Sequence, residues 1–180
     1  MCDSNGKYLC LNKLCSKHDV TYFRNPNIKS SVDLFNETDP SQSPSMFLFH
    51  TGNNDLENKV ASSVAENINK LLSITSKKFP ISKILFSSLL PRDDNLNNTI
   101  NAVNSSMKEN TAKLTKAEVI DHENLHTAKE KILHDKKHLN RNSVPIFARS
   151  LTRAIYKGTL KSNHNRSSRG SSSLQYPSTE

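Results

Sequence analysis

The chain contains no run of about 20 apolar residues, the length a membrane-spanning helix needs. Nothing ahead of its first apolar strand has the charged-then-apolar layout of a secretory leader. Cysteine is too scarce and too crowded for a disulfide framework: Cys2, Cys10 and Cys15 all lie near the start. An odd, clustered set favours a reducing compartment, so an intracellular, cytoplasmic setting is expected. With His18 these cysteines offer four zinc ligands in principle, at a spacing that matches no zinc module. Apolar residues fill only 34% of the 180 positions, and Asn with Ser supply roughly a quarter, against about 45–50% apolar in ordinary domains. That composition gives one domain with a core and long polar loops. There is no internal repeat.

The net charge is +8, much of it late in the chain, from Lys129, Lys131, Lys136, Lys137, Arg141, Arg149 and Arg153 to Lys157, Lys161, Arg166 and Arg169. A basic end can touch nucleic acid or anionic surfaces. No aromatic residues interleave with it and no nucleic-acid motif accompanies it, so solvated helix faces and a basic tail explain it better.

What is present is a strand–turn–helix pattern. Met46-Phe47-Leu48-Phe49 reads as a strand buried on both faces, as in a parallel sheet. It runs into the polar turn His50-Thr51-Gly52-Asn53-Asn54-Asp55, and a helix over 56–75 follows, striped by Leu56, Val60, Val64, Ile68, Leu71 and Leu72. The turn therefore sits at the carboxyl end of a strand, where open α/β sheets place their ligands. Asn54 with Glu57 also makes a capping-box-like pair, which leaves the Asn amide nitrogen free to donate elsewhere. Further strands are expected at 19–24, 81–86 and 117–121. Helices are expected at 30–36, after the turn Pro91-Arg92-Asp93-Asp94 (Leu96, Ile100, Val103, Met107), and from Pro145 (Phe147, Leu151, Ala154, Ile155). Alternation of this kind predicts a three-layer αβα sandwich with a parallel sheet. The domain is expected to occupy 1–158, with 159–180 a disordered Ser/Asn-rich basic tail.

Three polar blocks mark the chain: Asp3-Ser4-Asn5 at the start, Gly52-Asn53-Asn54-Asp55 after a strand, and Asp135-Lys136-Lys137-His138-Leu139-Asn140 before the last helix. In that order and spacing they resemble the SGNH (GDSL-type) hydrolases, over roughly residues 3–156. The likeness is closest to the divergent esterase-like domains of retroelement-derived proteins. The resemblance implies a flavodoxin-like fold, ester hydrolysis through an acyl-serine, and an ester-type small-molecule substrate, with no cofactor. It implies Ser4 as nucleophile, His138 as its base and Asp135 as the group that fixes the imidazole tautomer. A serine hydroxyl is a poor nucleophile until a base takes its proton, and residues three apart can present both partners on one side. The oxyanion donors it implies are the Ser4 backbone N–H, the N–H of a glycine after the next strand, and the Asn54 side chain.

Two positions depart from the pattern. Arg24-Asn25-Pro26-Asn27 stands where the family has its glycine, and Pro26 carries no N–H at all. Cys2 replaces the glycine before Asp-Ser, and the strand that should carry the nucleophile is reduced to Met1 and Cys2. The expected first strand is thus truncated, as in a fragment of a longer protein or a degenerate copy. A different class follows as the alternative: an SGNH-fold interaction domain without catalysis. A third reading comes from His122-Glu123-Asn124-Leu125-His126, which matches the H-E-x-x-H zinc-hydrolase signature if it lies on a helix and a third ligand follows. Lys129 and Ile132 occupy the glycine and histidine positions of the longer metzincin pattern, so that version fails.

Overall fold

A computed structural model describes residues 1–25, 27–126 and 132–164, with the side chains of residue 42 and of 158–164 left aside. Its sheet has three parallel strands, β1 (Met46–Phe49), β2 (Lys83–Ser87) and β3 (Ala117–Ile120), in the order β1-β2-β3. Met46 stands opposite Lys83, and Ile84 opposite Ala117. The helices are α1 (Leu11–Leu14), α2 (Ile28–Glu37), α3 (Ala61–Lys78), α4 (Asn97–Thr111), α5 (Glu123–His126) and α6 (Val144–His164).

Strand residues alternate between two cores, as the period of two requires. Phe47, Phe49, Ile84 and Phe86 pack with Phe35 of α2, Val64, Ile68, Leu71 and Leu72 of α3, and Ile100, Val103 and Met107 of α4. Met46, Leu48 and Leu85 face the other way, against Leu14 of α1 and Phe147, Leu151 and Ile155 of α6. Helices therefore cover both faces of a parallel sheet, and the expected three-layer αβα architecture is what forms.

The edge of the sheet carries the main correction to the sequence reading. Cys2 bridges Arg24 on one side and His50 on the other, both in parallel register. Cys2 N–H donates to the Phe23 carbonyl (3.1 Å) and Asp3 N–H to the His50 carbonyl (2.8 Å). Asn25 N–H reaches the Cys2 carbonyl (3.1 Å), and His50 N–H the Met1 carbonyl (2.9 Å). The residues before Ser4 are thus stitched on both sides, and Ser4 is not on a fraying end. The expected strand at 19–24 shrinks to the single bridge at Arg24, because Met1–Asp3 offer ladder bonds only around Phe23 and Asn25. Val20, Tyr22 and Phe23 are left exposed.

The helix expected over 56–75 begins later. Residues 55–57 form a 3-10 turn and Val60, exposed, is the residue before α3. Asp55 causes the break: its carboxylate accepts the Ile28 N–H (3.0 Å) and the Lys59 ammonium (2.7 Å), which holds the turn apart from α3. The stop at Lys78-Phe79-Pro80 falls as the sequence indicates. The last helix continues to His164, and residues 165–180 of the expected tail lie outside the described residues.

Candidate active site

Ser4 opens a 3-10 turn, Ser4–Tyr8, directly beyond the Cys2 bridge. Asp3 caps that turn, its carboxylate accepting the Asn5 N–H at 2.9 Å. A residue in the first helical position has no acceptor within the turn for its own N–H, so the Ser4 amide is available beside its hydroxyl. The hydroxyl itself is half-buried.

Far along the chain, residues 134–138 form an irregular loop before α6. Leu133 and Leu139 pair across its base, with His134 N–H donating to the His138 carbonyl and Asn140 N–H to the Ile132 carbonyl, both at 2.8 Å. Lys136 takes a left-handed conformation, φ 62°, uncommon for a residue with a side chain. Inside the loop the Asp135 carboxylate accepts the backbone N–H groups of Lys137 (3.2 Å) and His138 (2.8 Å). It also meets His138 Nδ1 at 2.9 and 3.0 Å. These bonds, the imidazole first, pull the Asp135 carboxyl down to about 2.

The other ring nitrogen closes the arrangement. His138 Nε2 lies 3.0 Å from Ser4 Oγ, across 134 residues of sequence. Asp135, His138 and Ser4 therefore form one continuous hydrogen-bonded chain, with the carboxylate and imidazole open to solvent. In such a chain the carboxylate fixes the Nδ1–H tautomer, which leaves Nε2 able to take the hydroxyl proton.

Asn54 lies in the loop that leaves β1 beyond His50, the residue paired with Cys2, and so at the same carboxyl edge as Ser4. Its side chain makes no capping bond to the 3-10 turn that follows, so the expected capping-box pair with Glu57 does not form. Glu57 is drawn away to Lys137 Nζ (2.7 Å) and Arg92 Nη1 (3.4 Å). Gly52 holds the loop's left-handed turn at φ 120°, where a Cβ would lie 3.1 Å from Leu89 Cδ2. The position that should supply a glycine N–H departs from the pattern in space too: the Asn25 N–H is already taken by the Cys2 carbonyl.

Several residues that carry this geometry had no motif to flag them. Asn5, buried, accepts the Leu139 N–H at 3.1 Å and so fastens the His138 loop to the Ser4 turn. Buried Arg92 grips Asp94 through Nε and Nη2 (2.6 to 3.2 Å), reaches the Asn53 carbonyl (3.4 Å), and shares Glu57 with Lys137. The Asp93 N–H meets the Lys136 carbonyl at 2.8 Å. The 91–94 loop thus ties the Asn53-Asn54 loop to the loop of His138. Its Pro-Arg-Asp-Asp turn was visible in the sequence, but the partners were not.

Behind Ser4 lies a buried polar row. His50 Nδ1 is 2.8 Å from Ser87 Oγ, which is 2.7 Å from His122 Nε2, and Phe147 packs on both rings. Burial, and secondarily His50, push the His122 imidazole down to about 3, and burial also lowers His50. His122 is buried, with Nε2 bonded to Ser87 Oγ. The four-residue helix α5 does not display an H-E-x-x-H face, and residues 127–131, where the motif would continue, lie outside the described residues. Cys10 is exposed and His18 stacks on Tyr156, so the Cys2, Cys10, Cys15 and His18 set does not converge among the described residues. No helix among the described residues is long and apolar enough to cross a membrane.

No family model matches the chain, and no curated protein matches it in sequence. Solved structures do. A Streptococcus pneumonia protein designated a platelet activating factor superposes with a TM-score of 0.69 at 16% identity, over 86% of this chain and 81% of the other. A member of the lipolytic G-D-S-L family from Veillonella parvula gives 0.67 at 15% identity, over 86% and 95%. A carbohydrate esterase of family 3 from Talaromyces cellulolyticus gives 0.63 at 16% identity, over 74% and 68%.

Proposed function

We propose that this chain, which has the SGNH hydrolase fold, is a serine ester hydrolase with Ser4 as nucleophile, His138 as general base and Asp135 as the residue that orients it. The observation that carries this reading is the unbroken Asp135–His138–Ser4 hydrogen-bonded chain, 2.9 and 3.0 Å at its two links. His138 takes the hydroxyl proton as Ser4 Oγ attacks the ester carbonyl. The imidazolium then gives that proton to the departing alcohol, and an acyl-serine remains. Water, activated by the same imidazole, releases the acid and restores Ser4. Asp135 stays ionised throughout, because its carboxyl is held near 2.

The tetrahedral oxyanion takes the Ser4 N–H and the Asn54 carboxamide as donors, each worth about 3–4 kcal/mol when placed in advance. The Asn25 N–H, turned to the Cys2 carbonyl, is not offered as a further donor. The esterases among the structural neighbours make short acyl esters the first substrates to try. The likeness to retroelement-derived domains rests on the three motif blocks alone.

The test is hydrolysis of short p-nitrophenyl esters by the full chain and by Ser4→Ala and His138→Ala. Turnover should vanish to background in both variants and, as general-base catalysis requires, be lost on acidification in the intact protein. Turnover unchanged by either substitution would overturn the assignment. If the intact chain shows neither turnover nor labelling at Ser4, it is instead an SGNH-fold interaction domain.

A further inference from the structure

The buried polar row behind Ser4 contains a group that the hydrolytic reading does not use. One sulfur, one carboxylate oxygen and one ring nitrogen, from Cys2, Asp3 and His50, lie within 4.8 Å of one another. All three residues are almost wholly buried, at 3%, 1% and 0% exposure. Asp3 Oδ2 and His50 Nε2 have no hydrogen-bond partner, although each is sealed from water. Orphaned groups of this kind are rare in folded proteins, and a bound ion is one of the few things that accounts for them.

From this cluster we infer that Cys2, Asp3 and His50 bind a zinc ion that pins the base of the Ser4 turn to the end of β1. Thiolate, imidazole and carboxylate together are a zinc donor set, whereas calcium and magnesium take oxygen ligands. The spacing agrees. His50 Nε2 and Asp3 Oδ1, the oxygen that also accepts the Asn5 N–H, are 3.6 Å apart, too far for a hydrogen bond. Two ligands about 2.0–2.1 Å from one tetrahedral ion stand roughly 3.3 Å from each other, so little movement is needed. The second shell is also in place: Ser87 Oγ on His50 Nδ1 fixes the ring so that Nε2 faces the cluster. Gly6 leaves the sulfur its room, since a Cβ there would fall 2.1 Å from Cys2 Sγ. On binding, the Cys2 thiol gives its proton to solvent and the thiolate and Asp3 carboxylate neutralise the dication. Cys2, Asp3 and His50 supply three of the four positions of a tetrahedral ion. The ion takes no part in ester hydrolysis, and the inference stands whether or not the chain is an esterase.

The experiment uses the full chain, reduced and stripped of metal, titrated with zinc against a chromophoric chelator and separately with cobalt. One equivalent should bind. Cobalt should give the near-ultraviolet band of a thiolate ligand together with the visible bands of a tetrahedral ion. Cys2→Ser should remove the thiolate band, and the Cys10→Ser/Cys15→Ser double variant should keep it. Ser87→Ala should weaken zinc binding roughly 10- to 100-fold. The inference is overturned if the metal-free chain takes up neither metal, which would leave Asp3 and His50 as a plain buried pair. It is equally overturned if the thiolate band survives Cys2→Ser or disappears in the double variant.

Discussion

Replacing His122 by Gln should flatten the acid side of the stability curve. The imidazole is 1% exposed, lies against Phe147 and is bonded to Ser87, and its affinity for a proton falls from an ordinary value of 6.5 to about 3. In the unfolded chain the ring takes up its proton near 6.5. In the folded chain it stays neutral until about 3. Between those values the unfolded state binds more protons, so stability rises with pH and is lost on acidification. Integrated from pH 7 to pH 5, one such histidine removes about 2 kcal/mol. In a domain of this size that is about 4–8 °C in Tm. The assay is thermal or urea unfolding of both proteins at pH 7, 6 and 5. His122→Gln loses some packing at every pH, so the decisive quantity is the slope, which should be shallower by about 2 kcal/mol over the range. Equal slopes would show that His122 is not the neutral, buried group described.

Other perturbations reach the candidate site more directly. Arg92→Ala removes the clamp between the Asn53 carbonyl, Asp94 and Glu57; steady-state ester kinetics should show kcat/KM down about tenfold or more, within the range of a misplaced oxyanion donor, with the pH inflection unmoved. Arg92→Lys keeps the charge but not the planar fork and should restore only part of that loss. Gly52→Ala sets a side chain at φ 120°, against Leu89; the urea midpoint should drop by the equivalent of about 1–3 kcal/mol, and an unchanged midpoint would contradict the turn. Asp135, held near 2, is ionised at every pH above about 4. Its depressed carboxyl supports the loop above the ordinary carboxylate range and is lost only toward pH 2, so a rate profile from pH 4 to 8 should show one inflection. A second inflection in that window would point to another acid.

Much of the layout was legible in the sequence because apolar periodicity is a local signal. The Phe47/Phe49 against Met46/Leu48 alternation, and the stripe from Val64 to Leu72, both follow from side-chain spacing alone. The same local logic misplaced the start of α3. Leu56 and Val60 continue the helical pattern, but Asp55 is held by Ile28 and Lys59, partners that no window of sequence displays together. The stub at Cys2 was hidden for a related reason. Two residues show no periodicity, and their strand character comes entirely from Phe23, Asn25 and His50 on either side. The motif blocks named Ser4, Asp135 and His138, whereas Asn5 and Arg92, which hold the blocks together, act through contacts 134 and 39 residues away.

The central claim is that Ser4 is an activated nucleophile because His138 and Asp135 stand behind it. A fluorophosphonate probe measures this directly, by intact mass and by mapping the modified peptide. The account predicts one adduct, on Ser4, formed at a rate that falls by orders of magnitude in His138→Ala and Asp135→Ala while the fold is retained. An adduct elsewhere, or labelling of Ser4 at the same rate without His138, would contradict it.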